Sequence, residues 1–434
     1  MEEKRTLCKF LKDVKFPDGY ASNISRCVNV KEGKCIGLKS HDCHVLFQRL
    51  LPLALRGLLP KDVCSPIIEL SQFFGELCSK VIKEECLDGL HAQVVETLCK
   101  FKRLFPPAFF DIMVHLLVHL ANEAKLAGPV QYRWMYPIER YLCTLKGYVR
   151  NKARPEGSIA EGYLAEECMT FCSRYLHDIG TRLDRCDRNF DGEHGLSSEK
   201  LSVFSHHGKP IGLGKYEEIS TLERDQAHLY VLQIARRYTL GLFLFYHKSE
   251  LEKESPSNVE QRHNKEFIEW FTTQVSKLYE EGNGRVNHEL YSLSQCPDRR
   301  VYFYGTYCCN GFRFRTRDSE KFLKTQNSGV VVKCDDLTGN VDYHGVITHI
   351  IELDYMGGNS VFLFKCDWFE VPSYGKYQSR GYKKDEFGFV SLNFRRLHYS
   401  NEPFVLASQV DQVYYVEDNT NKNWRVVLRA KPIK

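Results

Sequence analysis

The sequence predicts a multidomain α+β protein, mainly α-helical through its N-terminal region and ending in a small β-barrel-like C-terminal domain. Two observations carry this. Up to about residue 176 apolar side chains recur at helical spacing, as in Ile67, Ile68, Leu70, Phe73, Phe74 and Leu77. From about residue 298 the pattern turns to short runs rich in Val, Phe and Tyr, divided by Gly and Asn turns. A length of 434 residues with 43% hydrophobic content supports two or three cores. The boundaries that follow are a leader over 1–36, a helical domain over 37–180, a linker with a helical hairpin over 181–297, and a β-rich domain over 298–434.

The leader mixes charge with the turn Pro17-Asp18-Gly19 and has no clear period, so it is expected to be cut from something larger. KSHDCHVLFQRL (39–50) starts a helix with Ser40 or Asp42 as cap. His41, Asp42, Cys43 and His44 are four consecutive potential ligands, or a polar helix start packed on its neighbours. Helical periods continue to 128, and the last helix, Phe110 to Leu120, is apolar almost all round and expected to be buried. Its polar residues Asp111, His115, His119 and Glu123 recur every four positions. HLLVH has the histidine spacing of a zincin helix without its glutamate base, so these side chains are expected to satisfy each other or to support a neighbouring cleft.

Tyr132 to Tyr163 is the stretch with most chemical content. Pro137 suits the first turn of a helix from Ile138 to about Val149, which sets Glu139 at the N-terminal end. Ile138, Leu142 and Leu145 share the side expected to be buried. Trp134, Tyr136 and Tyr141 surround the acid, and Arg140, Lys146, Arg150, Lys152 and Arg154 follow as a basic rail. On the local pattern alone, Glu139 stabilises a helix N-terminus and the cations form a solvated face. A second helix, Ile159 to about Leu176, is expected to pack on the first, with Cys168 and Cys172 as half-buried thiols. Residues 177–220 read as a linker, with His206 and His207 solvated. Leu229, Leu232, Ile234, Tyr238 and Phe243 are expected to face Phe267, Trp270 and Phe271 in a helical hairpin. Arg236, Arg237, Lys248, Arg262 and Lys265 leave that hairpin basic outside.

In the last block, DYHGVITHIIELDY and SVFLFKCDWFEV around the MGGN turn read as a β-hairpin, and FGFVSLNF, PFVLASQVDQVYYVED and NWRVVLRA add strands. About five strands suggest a small SH3-like barrel. Tyr343, Tyr355, Trp368 and Tyr414 are core aromatics or a cage for a peptide or base.

Composition narrows the classes. A net charge of +5 makes any nucleic-acid contact a matter of local patches. An odd number of cysteines, 17, without any CxxC pair points to reduced thiols and against a zinc ribbon. No run reaches the roughly 18–20 uncharged apolar residues of a membrane span; AFFDIMVHLLVHLANEA is interrupted by Asp111, His115 and His119.

The words RWMYPIERYL, LKGYVRN and RPEGSIAEGYLAEECMTFCSRYL resemble the C-terminal half of plant CACTA-type (En/Spm-like) DNA transposon transposases. So do KSHDCHVLFQRLLP and FPPAFFDIMVHLLVHL upstream, and NGFRFRTRD, TQNSGV, LFKCDWF, PFVLASQ and QVYYV downstream. The resemblance implies an RNase H-like nuclease interrupted by helical insertions, with Glu139 as the third metal-binding acid on its last acidic helix. It implies that His41, Asp42, His44, His115, His119 and Trp134 lie in or near that cleft, and that the rail contacts DNA. An intact member of such a family would use Mg²⁺ or Mn²⁺. The first two catalytic Asp residues would precede KSHDCH and are not in this sequence, and one carboxylate cannot hold two metal ions, so no metal and no independent catalysis are expected of this chain. Expected partners are DNA, an Asp-bearing transposase chain in trans, and a protein or chromatin partner for the C-terminal domain. The expected location is the nucleus. The alternative is a domesticated, non-catalytic DNA- or chromatin-binding protein. A metallohydrolase on His115, His119 and Glu123 lacks a third ligand or base.

Overall fold

The computed structural model describes residues 2–173, 175, 189, 203–204, 208–235, 240–282, 284, 286–333, 341–372, 378–398, 402–419 and 421–432. In chain order it comprises α1 (Glu2–Asp13), β1 (Val28–Asn29), β2 (Lys34–Cys35), α2 (Ser40–Val45), α3 (Leu51–Leu55), α4 (Lys61–Leu77), α5 (Glu84–Leu104), α6 (Ile112–Ala127), α7 (Tyr136–Gly147) and α8 (Pro155–Ser173). There follow β3 (Lys209–Ile211), β4 (Lys215–Glu218), α9 (Thr221–Ala235), α10 (Gly241–Glu254), α11 (Val259–Glu280) and α12 (His288–Ser294). The chain continues with β5 (Arg300–Tyr304), β6 (Thr306–Cys309), β7 (Phe312–Arg315), α13 (Arg317–Glu320), β8 (Gly329–Val332), β9 (Tyr343–Tyr355) and β10 (Asn359–Trp368). It closes with β11 (Tyr382–Lys384), β12 (Val390–Asn393), β13 (Phe404–Leu406), β14 (Asp411–Glu417) and β15 (Trp424–Arg429). The expected class, helices first and β-rich structure after, is what the chain adopts. Among the described residues no helix is long and apolar enough to cross a membrane.

Two compact units emerge, one of residues 39–187 and one joining 1–38 to 188–434. In the first, α4, α5 and α6 form the core through Phe73, Leu77, Leu87, Leu90, Val94 and Ala124. Glu69 on α4 ties α5 by accepting from Thr97 Oγ1 at 3.0 Å and Lys100 Nζ at 2.8 Å. Helix α6 starts at Asp111, whose carboxylate accepts from the N–H groups of Met113 and Val114. It is not the buried rod its composition suggests. Only Ala121 and Ala124 are buried, while Ile112, Met113, Leu116 and Leu126 are exposed. The same holds for α7 and α8, neither of which has a buried residue. Ile138 and Leu142 are about half exposed, and Cys168 and Cys172 are exposed instead of half-buried. Periodicity identified the apolar face; it does not supply a covering surface.

The second unit corrects three expectations. Residues 1–36 are not an aperiodic tail: α1 buries Cys8, Phe10 and Leu11, and Phe16 and Tyr20 set their rings 5.7 and 5.7 Å from Tyr414 on β14. Asp18 pairs with Arg313 at 3.1 Å and its N–H donates to Asn327 Oδ1 at 2.8 Å, while Phe16 O accepts from the N–H of Gln326. The helical hairpin expected within 181–297 forms, with the Phe243 and Phe271 rings 5.4 Å apart, but no boundary at 297 divides it from the strands. Leu232, Phe267, Phe271, Leu290 and Leu293 share one core with Val301, Ile351, Leu353, Val361 and Leu363 of the strands, so the helices form a layer on the sheet. Leu229, Phe243 and Trp270 pack at its margin; Arg236, Arg237 and Tyr238, like His206 and His207, lie outside the described residues.

The β structure is also larger than a five-stranded barrel. Among the described residues ten strands join in the order β11-β12-β15-β14-β8-β9-β10-β13, with β5 pairing both β9 and β4, and β3-β6-β7 forms a separate three-stranded sheet. The β9–β10 hairpin is as expected, running from Tyr355↔Asn359 to Gly345↔Trp368 with an irregularity at Lys365/Cys366. One edge of β9 takes β8 at Tyr343–Val346 and β5 at Tyr302↔Glu352, so the sheet forks there. Alternation along β9 sends Ile351 and Leu353 to the helical layer and Ile350 to the opposite core, which β6 and β7 cover with Tyr307, Phe312 and Phe314. Asn310 and Gly311 both have positive φ and make the two-residue turn between β6 and β7. Tyr355, Trp368 and Tyr414 are core residues here, leaving only Tyr343 of that proposed cage exposed.

Candidate functional site

The site is built on the entry to α7. Val130–Tyr132 forms a short 3₁₀ turn, Pro137 occupies the first turn of the helix, and the N–H of Glu139 donates to Met135 O at 2.8 Å. Trp134 and Tyr136 set their rings 5.1 Å apart. His44, ninety-two positions earlier than Tyr136, lies 3.4 Å from the Tyr136 hydroxyl, with its ring 6.4 Å from Trp134. Gln48 Nε2 meets His44 Nδ1 at 3.3 Å. The two ring nitrogens of His44 thus face Gln48 and Tyr136, one on each side. Burial, and then the neighbouring His41, hold His44 below its ordinary value and keep it neutral. The two words KSHDCH and RWMYP thus meet as a neutral aromatic cluster beneath the start of α7.

The other nominated residues divide. Asp42 is 2% exposed and its carboxylate accepts from the N–H of Lys39 at 3.1 Å, which commits it to the start of α2. His41 is exposed. His115 and His119 face each other, Nε2 to Nε2 at 3.4 Å. The cavity beside His115, about 320 Å³, is lined by α5, α6 and the turn before α6, including Val95, Leu98, Phe110 and Asp111, and by no residue of α7. The structure therefore brings His44 and Trp134 to the α7 entry and leaves His115 and His119 paired on α6.

Glu139 is exposed, and among the described residues its carboxylate has no hydrogen bond or ion pair. Arg140 turns back to Tyr136 O at 3.3 Å. Lys146, Arg150, Lys152 and Arg154 are exposed, and among the described residues none of the five rail cations pairs with an acid. The loop that carries three of them is ordered by Asn151: its side chain accepts from Ala153 N–H at 2.9 Å, its N–H donates to Ser158 Oγ at 3.1 Å, and its carbonyl accepts from Arg154 N–H. Gly162 on α8 lets the helix approach Tyr148, where a Cβ would stand 2.6 Å from the ring. Sequence reasoning missed Asn151 and Gly162; the asparagine three residues before Arg154 was the available sign of a turn.

What such an arrangement can do is hold polyanion. Cations that pair with no acid among the described residues, set along a helix end and a fixed loop, attract negative charge. It does not by itself make a metal centre: among the described residues no three His, Cys, Asp or Glu side chains converge. With one exposed carboxylate and a neutral histidine committed to Gln48 and Tyr136, these residues do not fit a two-metal site.

Two stretches match family models. Residues 77–190 match a domain of unknown function, DUF4218, and residues 351–427 a domain of unknown function, DUF4216. Both are domains typical of plant transposase-derived proteins. The first contains Glu139 and the whole rail; the second runs from within β9 into β15. No curated protein and no solved structure matches the chain.

Proposed function

We propose that this chain is a C-terminal portion of a CACTA-type (En/Spm-like) transposase that associates with DNA through the rail and does not cut it alone. The observation that carries the reading is the set of cations Arg140, Lys146, Arg150, Lys152 and Arg154, unpaired among the described residues, following Glu139 within the DUF4218 match. Glu139 is the last acid of a site whose other carboxylates come from an Asp-bearing chain, and Mg²⁺ or Mn²⁺ is bound only when those are supplied. The protein acts in the nucleus, and its β-rich part serves a protein or chromatin contact.

Duplex DNA titrated by fluorescence anisotropy at several salt concentrations tests the association. Changing Lys146, Arg150, Lys152 and Arg154 to Ala should weaken binding across all sequences and flatten the plot of log affinity against log salt by roughly 0.9 for each phosphate no longer neutralised. An unchanged slope removes the rail from the account. The second reading, a domesticated DNA- or chromatin-binding protein, is favoured by the exposed Glu139 carboxylate, which among the described residues belongs to no group of three metal-ligating side chains. Metal-dependent cleavage restored by an Asp-bearing chain and lost in Glu139→Gln selects the first reading. DNA binding without restorable cleavage selects the second.

A further inference from the structure

A cleft of about 520 Å³ in the second unit gathers cations from parts of the chain that are far apart in sequence. Lys15 follows α1, Arg317 begins α13, Lys321 ends it, and Arg425 lies on β15. Hydrogen bonds set them together. Phe16 O accepts from the N–H of Gln326 at 3.0 Å, and Gln326 Oε1 accepts from the N–H of Tyr415, so the segment after α1 and the loop before β8 meet at β14. The two guanidinium groups are held in place: Arg317 donates to Asp367 at 2.7 Å, and Arg425 donates to Glu417 at 3.3 Å while lying 4.2 Å from the centre of the Phe394 ring. One ion pair uses part of a five-donor fork, so each keeps N–H groups for a further acceptor. Lys15 and Lys321 are exposed and, among the described residues, within ion-pair distance of no acid.

Donors make up the rest of the wall. Thr325 Oγ1 accepts from Asn327 Nδ2 at 3.1 Å, which leaves its proton to donate, and Gln326 has committed its oxygen to Tyr415 and keeps its NH₂ group. Four cationic side chains face two carboxylates, and one of these, Glu320, already accepts from Asn327 N–H and Ser328 Oγ. Among the described residues no aromatic ring lines the cleft, so nothing there stacks on a base. An adjoining cleft of about 510 Å³ shares Lys15, Gln326 and Arg425 but offsets Lys9 and Lys422 with Asp13, Glu417 and Asp418, which leaves the excess of positive charge at the first. We propose that the first cleft binds phosphate, taking a ligand of linked phosphate groups by charge and hydrogen bonding alone. Cations on separate elements suit such a chain better than a single ion. A nucleic-acid strand and a free polyphosphate both present that chemistry. The site belongs to the unit that does not carry the rail and does not depend on it.

Calorimetric titration of inorganic tripolyphosphate into the full chain tests this, with Lys146, Arg150, Lys152 and Arg154 changed to Ala so that the rail contributes nothing. Binding at one site per chain is expected. Lys15→Ala with Lys321→Ala should weaken it by about tenfold or more. Lys15→Arg with Lys321→Arg should retain it, and Lys9→Ala with Lys422→Ala should leave it nearly unchanged. Both cleft lysines are exposed, so melting temperatures should match the parent's. No heat of binding, an alanine variant that binds as tightly as its parent, or an equal loss from the Lys9 and Lys422 changes would each overturn the proposal, the last by showing a diffuse positive field. Competition then reads the source of the phosphates. A short oligothymidylate that displaces tripolyphosphate, and binds more weakly to the Lys15 and Lys321 alanine variant, assigns the cleft to a nucleic-acid strand. Tripolyphosphate binding that the oligonucleotide leaves untouched assigns it to a free polyphosphate.

Discussion

Asp18 and Arg313 are 295 positions apart in sequence and 3.1 Å apart in space, with side chains only 10% and 16% exposed. Removing one partner of such a pair leaves the other charge in a poorly solvated place, which costs about 3 kcal/mol or more. Asp18→Ala should therefore lower the urea midpoint of the second unit, and Asp18→Ala with Arg313→Met should recover part of the loss; equal destabilisation in both variants would argue against an interaction between them. Two buried histidines predict a pH dependence. Burial, then Arg224, hold His228 down to about 3, and burial holds His344 down to about 4, against an ordinary value of 6.5. Between 6.5 and those values the unfolded chain takes up protons that the folded chain refuses, so stability is complete above pH 6.5 and falls on acidification. The slope approaches about 1.4 kcal/mol per unit for each histidine. Urea melts at pH 7, 6 and 5 should show the decline, and His344→Gln should flatten it. Neither site was legible in the sequence, because burial of a histidine depends on distant strands and not on its neighbours in the chain.

Among the elements, the β9–β10 hairpin was the most legible. Its alternation and the Met356-Gly357-Gly358 turn are local signals, and turn and pattern agree on one register. The fork at β9, by contrast, depends on β5 and β8 sharing one edge, which no local pattern announces. Helices α6, α7 and α8 show the opposite limit. The first was expected to be buried almost all round and the other two on one side, yet Ile112, Ile138, Leu142, Leu164 and Phe171 are exposed, since an apolar pattern states a requirement for cover without identifying it. Where α7 meets α8 the requirement is steric. Gly162→Leu should push Tyr148 aside, separate the two helices and cost about 1–3 kcal/mol; hydrogen exchange along α7 and α8 should speed up, and unchanged protection would show that this packing does not hold them. The rail's position was legible from charge order alone, whereas the fixing of its loop by Asn151 required the structure.

At the scale of the whole molecule, the unit joining 1–38 to 188–434 is discontinuous in sequence, with residues 39–187 between its parts. The expected leader is structural: Phe16, Asp18 and Tyr20 reach β14, Arg313 and Asn327. A fragment of 188–434 should accordingly melt earlier than the same unit within the whole chain, and a peptide of residues 1–38 added in trans should raise its melting temperature. No response to the peptide would mean that the β layers stand without it. The arrangement also imposes an order in time. Asp18 leaves the ribosome 295 residues ahead of Arg313, an interval of roughly 15–60 s at about 5–20 residues per second. Throughout it Phe16 and Tyr20 have no Tyr414 to pack against, so a nascent chain is open to holding chaperones at residues 1–38 until nearly the last strand is made.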